Sequence, residues 1–176
     1  DARYSQMQEF NLAKGASLVS VDWYTSGRRE RDEIWAFSLY ESRTVVKLDG
    51  EVVLVDPVFL QEEAGLSILE RMHGMHVLVT VILVGSKVEE VVAALSEQHK
   101  RTTTPFKKVN SQTNSQGADF FTSFSIVEHI PNAAVLRIMS TTTQLVYAYL
   151  YEVLQPLEVL LGYRPFSEDV IQYCSG

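Results

Sequence analysis

The residues around Asp49-Gly50 restrict the fold of this chain more than any other short segment. Asp-Gly prefers the two-residue turn that joins antiparallel strands, and apolar runs flank it at Arg43–Leu48 and Glu51–Val55. Pairing across a two-residue turn places Val46 opposite Val53 and Val45 opposite Leu54. Both faces of this hairpin are then apolar, which predicts a layered or rolled sheet covered on both sides. Pro57 should end the second strand or place it at a sheet edge.

Further strands and two helices are predicted from the spacing of apolar residues. Ser86 with Glu89 predicts a capping box that starts a helix fading near Lys100. Ser140 should cap a second helix, which Pro156 should end or kink. A polar loop is expected over 102–117. The other predicted strands are Ser17–Trp23, Ile34–Tyr40, Val77–Val84, Phe120–Val127 and Ala134–Met139.

The predicted fold class is therefore mainly β, with two amphipathic helices that each follow a strand. It would be classed as α+β by content alone. The length of 176 residues and the hydrophobic content of 46% favour a single domain over residues 1–176.

Composition excludes several classes of function. A net charge of −7 argues against a general nucleic-acid surface, which needs a positive field. The single cysteine, Cys174, rules out an internal disulfide framework and fits a reducing compartment. The apolar run Met75–Val84, broken by His76 and Thr80, is far short of the roughly 20 residues that span a bilayer. We therefore expect neither nucleic acid nor membrane as a partner.

No segment carries a recognisable catalytic or phosphate-binding pattern. The glycines form neither GxGxxG nor a Gly-Lys-Ser/Thr loop, and GxSxG does not occur. We expect no catalytic and no cofactor-binding residue, and hence no enzyme. An unrecognised hydrolase remains an alternative.

Met72–His76 is the one segment with a concentration of metal donors. His73 and His76 could form the centre of a metal-binding module for a borderline metal such as nickel or copper. The simpler interpretation is a surface turn, because two histidines without a carboxylate or another ligand make an incomplete site. His99 and His129 stand alone and are expected at the surface.

Tyrosines surround the second predicted helix. Tyr147, Tyr149 and Tyr151 accompany its aliphatic stripe, which already provides enough apolar surface for one packed face. Tyrosine is amphipathic and enriched at interfaces, so these three residues are candidate partner contacts.

Several segments, in order along nearly the whole chain, resemble the urease accessory family UreD, also called UreH. Leu18–Arg28 resembles a family strand that runs into a Thr-Ser-Gly-Arg turn, and an aromatic pair follows at Trp35 and Phe37. Asp32 precedes Glu33 where family members usually carry a glycine. The other segments that resemble the family are the hairpin Tyr40–Pro57, the strand Val77–Gly85, and Leu136–Ile138 with the helix after it.

The resemblance implies a cytoplasmic, β-helix-like scaffold that lacks the family's N-terminal portion. It implies a nickel metallochaperone role: docking on apo-urease together with a helical accessory protein of the UreF type and a nickel-carrying GTPase of the UreG type. Nickel would pass in transit through an internal passage, with no stably bound cofactor. Arg28, at the Thr-Ser-Gly-Arg turn, is a further candidate for partner binding.

Overall fold

The computed structural model describes residues 2–100 and 120–166, and places them in two sheets and four helices. The predicted polar loop and Cys174 lie outside these ranges. The helices are α1 (Ile68–Arg71), α2 (Glu89–Lys100), α3 (Thr143–Val153) and α4 (Glu158–Leu161). The strands are β1 (Arg3–Leu12), β2 (Leu18–Thr25), β3 (Leu39–Leu48), β4 (Glu51–Gln61), β5 (Val77–Val84), β6 (Phe120–Ile126) and β7 (Ala133–Ser140).

The mainly β class is confirmed, and so are the two longer helices, α2 after β5 and α3 after β7. The one-turn helices α1 and α4 were not predicted. None of the helices in the described ranges has the length and apolar character needed to cross a bilayer. The β-helix-like stacking stays a prediction.

The described chain divides into two compact units. The first comprises residues 2–16 and 25–74, and its sheet has the strand order β1-β3-β4. The second comprises residues 17–24, 75–100 and 120–166, and its sheet has the order β2-β5-β7-β6. The prediction of one domain over residues 1–176 is neither confirmed nor contradicted by this division, because compact units can belong to one domain.

The predicted hairpin is the centre of the first unit. Asp49 and Gly50 both have positive φ, at 54° and 88°, as a type I′ turn requires. The predicted register is wrong by one residue beyond the turn, because a bulge between Val46 and Lys47 makes Val53 an extra residue on β4. Val46 therefore faces Leu54, and Val45 faces Val55. Pro57 does not end β4 but lies within it, and β4 is an edge strand of the sheet. This confirms the second of the two positions predicted for Pro57.

Strand β1 was not predicted, and it completes the sheet by pairing in parallel with β3. Its alternating residues are mostly polar, so its sequence lacks the apolar period that reveals a strand. The expected cover over both faces of the hairpin is wrong for one face. Val52 and Phe59, on the same side of β4, are 56% and 57% exposed in the structure.

The core of the second unit forms around β5. Nearly every residue of this strand is buried, as the continuous aliphatic run predicted. Helix α2 covers the sheet with Val91 and Leu95, and α3 adds Val146 and Leu150 to the same cluster. Burying aliphatic side chains of this size contributes about 1.5–3 kcal/mol each, so this cluster dominates the stability of the unit.

Both helix starts differ from prediction in their caps. A 3-10 turn over Ser86–Val88 precedes α2, with Gly85 at its start and no side-chain cap. Helix α3 is capped by Thr142, whose hydroxyl accepts from the Leu145 N–H at 3.4 Å, since Ser140 still belongs to β7. A capping box does exist, at α1, where Ser67 and Glu70 satisfy each other's backbone N–H groups.

His99 is not the surface residue expected. Its Nδ1 lies 2.8 Å from the Leu95 carbonyl oxygen, and its Nε2 lies 3.2 Å from the Thr122 hydroxyl. A carbonyl only accepts, so Nδ1 carries a proton and donates to Leu95, while Nε2 shares a hydrogen bond with the Thr122 hydroxyl. The ring also stacks on Phe124. His99 therefore ties the end of α2 to β6.

The predicted strand Ile34–Tyr40 is wrong over 34–38, which forms an irregular loop before β3. Trp35 adopts a left-handed φ of 53°, and its N–H donates to the Ser26 carbonyl at 2.6 Å. Trp35 is nevertheless 3% exposed, and its ring meets Phe37 edge to face. The alternation of apolar residues here reflects a loop anchored by a buried tryptophan.

Gly27 allows this loop to close. Its φ is 114°, and a Cβ at this position would lie 2.4 Å from the Glu33 carbonyl oxygen. Asp32 in the same loop has a φ of 56°, which aspartate tolerates better than most residues. Thus the sequence Thr-Ser-Gly-Arg has a structural reason: the glycine admits a backbone contact that no side chain permits.

Gly27→Ala should therefore destabilise the fold by more than about 2 kcal/mol, through backbone strain and the clash with Glu33. Gly15→Ala is the matched control, because Gly15 also has positive φ (80°) but has nothing within 4 Å of the added Cβ. Urea denaturation of both variants measures the difference. Equal losses for the two variants would contradict the close approach at Gly27.

Candidate functional site

A band of polar side chains crosses one face of the three-stranded sheet. Sheet register sets Gln6 beside Ser42, and it sets Gln8 beside Thr44, which in turn faces Asp56 on β4. Alternation of side chains puts all of these on the same face. We call Gln6, Gln8, Ser42, Thr44 and Asp56 the polar band.

Much of the polar band is buried. Ser42, Thr44 and Asp56 are only 2%, 7% and 6% exposed, and Gln6 and Gln8 are half-buried. A buried hydroxyl or carboxylate is unfavourable unless it is hydrogen-bonded. Gln6 Nε2 donates to the Ser42 Oγ at 3.0 Å, and Asp56 is also engaged in a polar or electrostatic contact. The band is therefore a largely buried set of polar side chains, with Gln6 and Ser42 joined by a hydrogen bond.

Apolar rows flank the polar band on the same face of the sheet. Beyond Gln8 and Thr44, Phe10 pairs with Val46, which faces Leu54. At the other end, Tyr4 stacks on Tyr40 with ring centroids 5.5 Å apart. The Tyr4 hydroxyl donates to Gln6 Oε1 at 2.8 Å, which orients the Gln6 side-chain amide at this end of the polar band. The polar band therefore interrupts an otherwise apolar face of the sheet.

Sequence reasoning missed the polar band. Ser42 and Thr44 were visible within the predicted hairpin, alternating with charged Glu41 and Arg43. A serine and a threonine on the inward face of a strand were the available signal. Without β1, however, nothing placed Gln6 and Gln8 next to them.

The predicted metal residues have different surroundings. His73 is exposed in the first unit, with a left-handed φ of 47° in the turn after α1. His76 is half-buried in the second unit, where its backbone N–H donates to the Ser140 carbonyl at 2.8 Å. Within residues 2–100 and 120–166, no three His, Cys, Asp or Glu side chains form a group that could hold a metal ion. The two-histidine site stays a prediction.

The three candidate tyrosines on α3 differ in their contacts. Tyr147 packs edge to face on Trp23, with centroids 4.7 Å apart, and Tyr151 lies under the Arg164 guanidinium at 4.3 Å. Tyr149 packs edge to face on Phe120 at 5.0 Å. All three are half-buried, so each has only part of its ring available to a partner. Their role in partner binding stays a prediction.

Arg28, the fourth partner candidate, is exposed in the loop after β2. Its guanidinium forms two hydrogen bonds with the Glu33 carboxylate, at 2.7 and 3.0 Å. An exposed pair of this kind contributes at most about 1 kcal/mol, so Arg28 can exchange Glu33 for another carboxylate at little loss. Its partner role likewise stays a prediction.

Tyr149 has the most perturbed ionisable group described. Burial raises the pKa of its phenol to about 12, and the neighbouring Thr122 hydroxyl offsets this only in part. That hydroxyl lacks the geometry of a full hydrogen bond, since the Tyr149 oxygen is buried without a well-aligned partner in the described residues. The phenol is therefore held neutral by its apolar surroundings.

Comparisons with a family model and with individual proteins all give matches to urease accessory proteins. A sequence model of the family described as UreD urease accessory protein matches residues 1–172. "Urease accessory protein D" of Oryza sativa subsp. indica is 32% identical over 176 residues, covering 94% of this chain and 58% of that protein. The protein of the same name from Arabidopsis thaliana is 33% identical, with coverages of 94% and 60%.

A bacterial protein is similar to the same extent. "Urease accessory protein UreD" of Anaeromyxobacter sp. (strain Fw109-5) is 32% identical over 166 residues, covering 94% of this chain and 52% of that protein. The chain thus spans roughly half to three fifths of the length of the relatives it matches. The resemblance noted from the sequence is confirmed.

Tyr149→Phe should make the protein more tolerant of alkali. A folded-state pKa of about 12 lies above the value of about 10 for an unfolded tyrosine, so the neutral phenol's contribution is complete below pH 10. It is lost as pH rises toward 12, at up to about 1.4 kcal/mol per pH unit. Urea denaturation at several pH values between 9 and 12 measures the loss. Parallel stability curves for wild type and variant would contradict the burial of this hydroxyl.

Proposed function

The chain belongs to the UreD family of urease accessory proteins, and from that premise we propose that it acts in urease maturation as a non-catalytic scaffold. In this proposal it assists nickel insertion into apo-urease in the cytoplasm. The family match over residues 1–172 is the observation that carries the proposal. Its relatives' names state an accessory role to urease, which is a role in producing active enzyme.

The polar band is the part of this chain that fits contact with nickel in transit. It offers hydroxyl, amide and carboxylate oxygens from Ser42, Thr44, Gln8 and Asp56. Nickel binds tightly to closed sets of imidazole and thiolate ligands, whereas isolated oxygen donors hold it weakly. A protein that passes a metal on needs weak, exchangeable contacts, because tight binding would retain the ion. Hence the band suits transfer better than storage.

Burial would allow these weak oxygen donors to guide a nickel ion. An ion surrounded by buried oxygens is separated from competing ligands in solution, and nearby apolar rows strengthen its attraction to the Asp56 carboxylate. The flanking rows at Tyr40 and Val46 would confine the ion to the band. We propose His73 and His76 as no more than transient nickel contacts outside it.

The proposal also includes the partners of the assembly. Apo-urease would receive the nickel, a helical protein of the UreF type would dock on the scaffold, and a GTPase of the UreG type would deliver the ion. Tyr147, Tyr151 and Arg28 are the proposed partner contacts with exposed area, whereas Tyr149 contributes mainly through packing on Phe120. No nickel would remain bound once urease is active.

Urease activation in cells that lack this gene tests the proposal. Cells complemented with the full-length wild-type gene should regain urease activity and nickel-loaded urease. Thr44→Val removes one buried hydroxyl while keeping the side-chain shape, so the protein should fold while nickel per urease falls several-fold. Glu41→Gln is the matched control, because Glu41 lies on the opposite, exposed face of the same strand.

Three experimental results would each contradict one part of this proposal. Full urease activity in cells without the gene would refute the role in maturation. Equal nickel contents for Thr44→Val and Glu41→Gln would remove the polar band from the proposal. A double variant, His73→Ala with His76→Ala, that activates urease at the wild-type rate at limiting nickel would eliminate the histidine contacts.

A further inference from the structure

An exposed apolar segment lies at α4, in the second unit. Val159 is 86% exposed, Leu160 52%, Leu161 45% and Tyr163 64%. Single exposed aliphatic residues are common at protein surfaces, but contiguous apolar patches usually mark a site of interaction. Four large apolar residues within five positions form such a patch, and the hydrophobic cores described above do not use it.

Two adjoining depressions lie beside this patch. One, of about 570 Å³, is lined by residues of the first half of α2 and by Val159 and Leu160. The other, of about 310 Å³, is lined by Ala94, Leu95 and Gln98 of α2 and by residues at the end of α3. Both are lined by residues of α2 and meet at Pro156, and we call the two depressions together the α2–α4 groove.

The dimensions of the α2–α4 groove match one helix. It extends from Ser86 to Gln98, and at 1.5 Å per residue this part of the chain is about 18 Å long. The lining of its larger depression is mostly apolar: buried Val91 and Leu157 are accompanied by the more exposed Ala93, Pro156, Val159 and Leu160. A groove of this length and character between helices is the geometry that accepts the apolar face of an amphipathic helix.

The charged residues that line the α2–α4 groove indicate which kind of helix would bind there. Glu89, Glu90 and Glu152 line the groove, against the single cation Lys87. Among residues 2–100 and 120–166, neither Glu90 nor Glu152 forms an ion pair. Carboxylates beside an apolar floor favour a ligand whose own apolar stripe is bordered by lysine or arginine.

We propose that the α2–α4 groove binds a single amphipathic helix of a partner protein, with an apolar stripe flanked by basic residues. A second copy of this chain fits less well. A two-fold interface would bring the same acidic rim against itself, and like charges across an interface oppose association. The inference holds for any partner with such a helix, and it does not depend on the proposed role in nickel transfer.

Leu160 is the central contact of this proposal. It lines the larger depression of the groove and also a third depression, of about 480 Å³, on the other side of α4. Because it is half exposed and lies outside the buried cluster, a charged substitution there should leave the fold intact. Glu90 is also exposed and lines the same depression, so its substitution tests the electrostatic contribution to binding.

The purified full-length protein and a synthetic peptide provide the experiment. The probe is a stapled helix of about 16 residues, with leucines at i, i+3, i+4 and i+7 and lysines beside them. One control peptide carries glutamate in place of lysine, and another has the same composition in an order that breaks the apolar stripe. Fluorescence anisotropy measures the affinity of each peptide.

Binding of the lysine probe alone, weakened about ten-fold or more by Leu160→Asp and by Glu90→Lys, is the expected result. Ile126→Asp is the matched control, because Ile126 is 51% exposed in the same unit and does not line the groove. The proposal is overturned if the lysine probe does not bind, if the reordered peptide binds equally, or if Ile126→Asp weakens binding as much as Leu160→Asp. Light scattering gives a further test: a wild-type dimer that Leu160→Asp dissociates would show that a second copy occupies the groove.

Discussion

Strand β3 supplies the backbone hydrogen bonds that hold both β1 and β4 in the three-stranded sheet. Its register decides which side chains meet on each face, because a slip of one residue would turn every side chain to the other side. The tight turn at Asp49-Gly50 and the bulge after Val46 fix that register on the β4 side. The parallel pairing with β1 then brings Gln6 and Gln8 beside Ser42 and Thr44. The polar band follows from this alignment.

The polar band lowers the stability of the unit that contains it. Valine at Ser42 or Thr44 would bury more apolar surface without leaving hydroxyls to satisfy, and well-packed apolar replacements of buried polar groups are often stabilising. Natural proteins depart from such local rules chiefly where function requires it. The second unit also buries hydroxyl groups, at Thr80, Thr122 and Ser140. Among the described residues, however, the one buried carboxylate is that of Asp56 in the first unit.

Much of the fold was predictable where local signals were strong. The aliphatic run Val77–Val84 fixed both ends of β5, and Asp49-Gly50 located the hairpin. Errors arose where tertiary structure overrides the local pattern. The bulge at Val53 depends on strand twist, and the alternation through Trp35 arises from a loop closed by the Ser26 carbonyl and not from a strand. The cap of α3 is Thr142, two residues after the predicted Ser140, and a 3-10 turn without a side-chain cap precedes α2.

The site was harder to predict than the fold, because its residues come from three strands. Ser42, Thr44 and Asp56 are ordinary residues in sequence, and only the parallel partner β1 shows that they form a layer. His73 and His76 were predicted as metal ligands because imidazole is a strong ligand. Weak, exchangeable binding would instead use oxygen donors, which form no recognisable sequence motif. The half-buried tyrosines of α3 were predicted as partner contacts from their residue type. The apolar patch at α4 is recognised only from the exposure of its side chains in the structure.

Nickel retention by a Thr44→Cys variant tests the central claim most directly. A thiolate in the polar band would hold nickel far more tightly than the hydroxyl it replaces. During activation of apo-urease by the reconstituted accessory proteins, we expect this variant to keep nickel bound and to slow activation. Glu41→Cys, on the opposite face of β3, should do neither. If both variants activate urease at the wild-type rate and hold no nickel, the metal does not pass through the polar band.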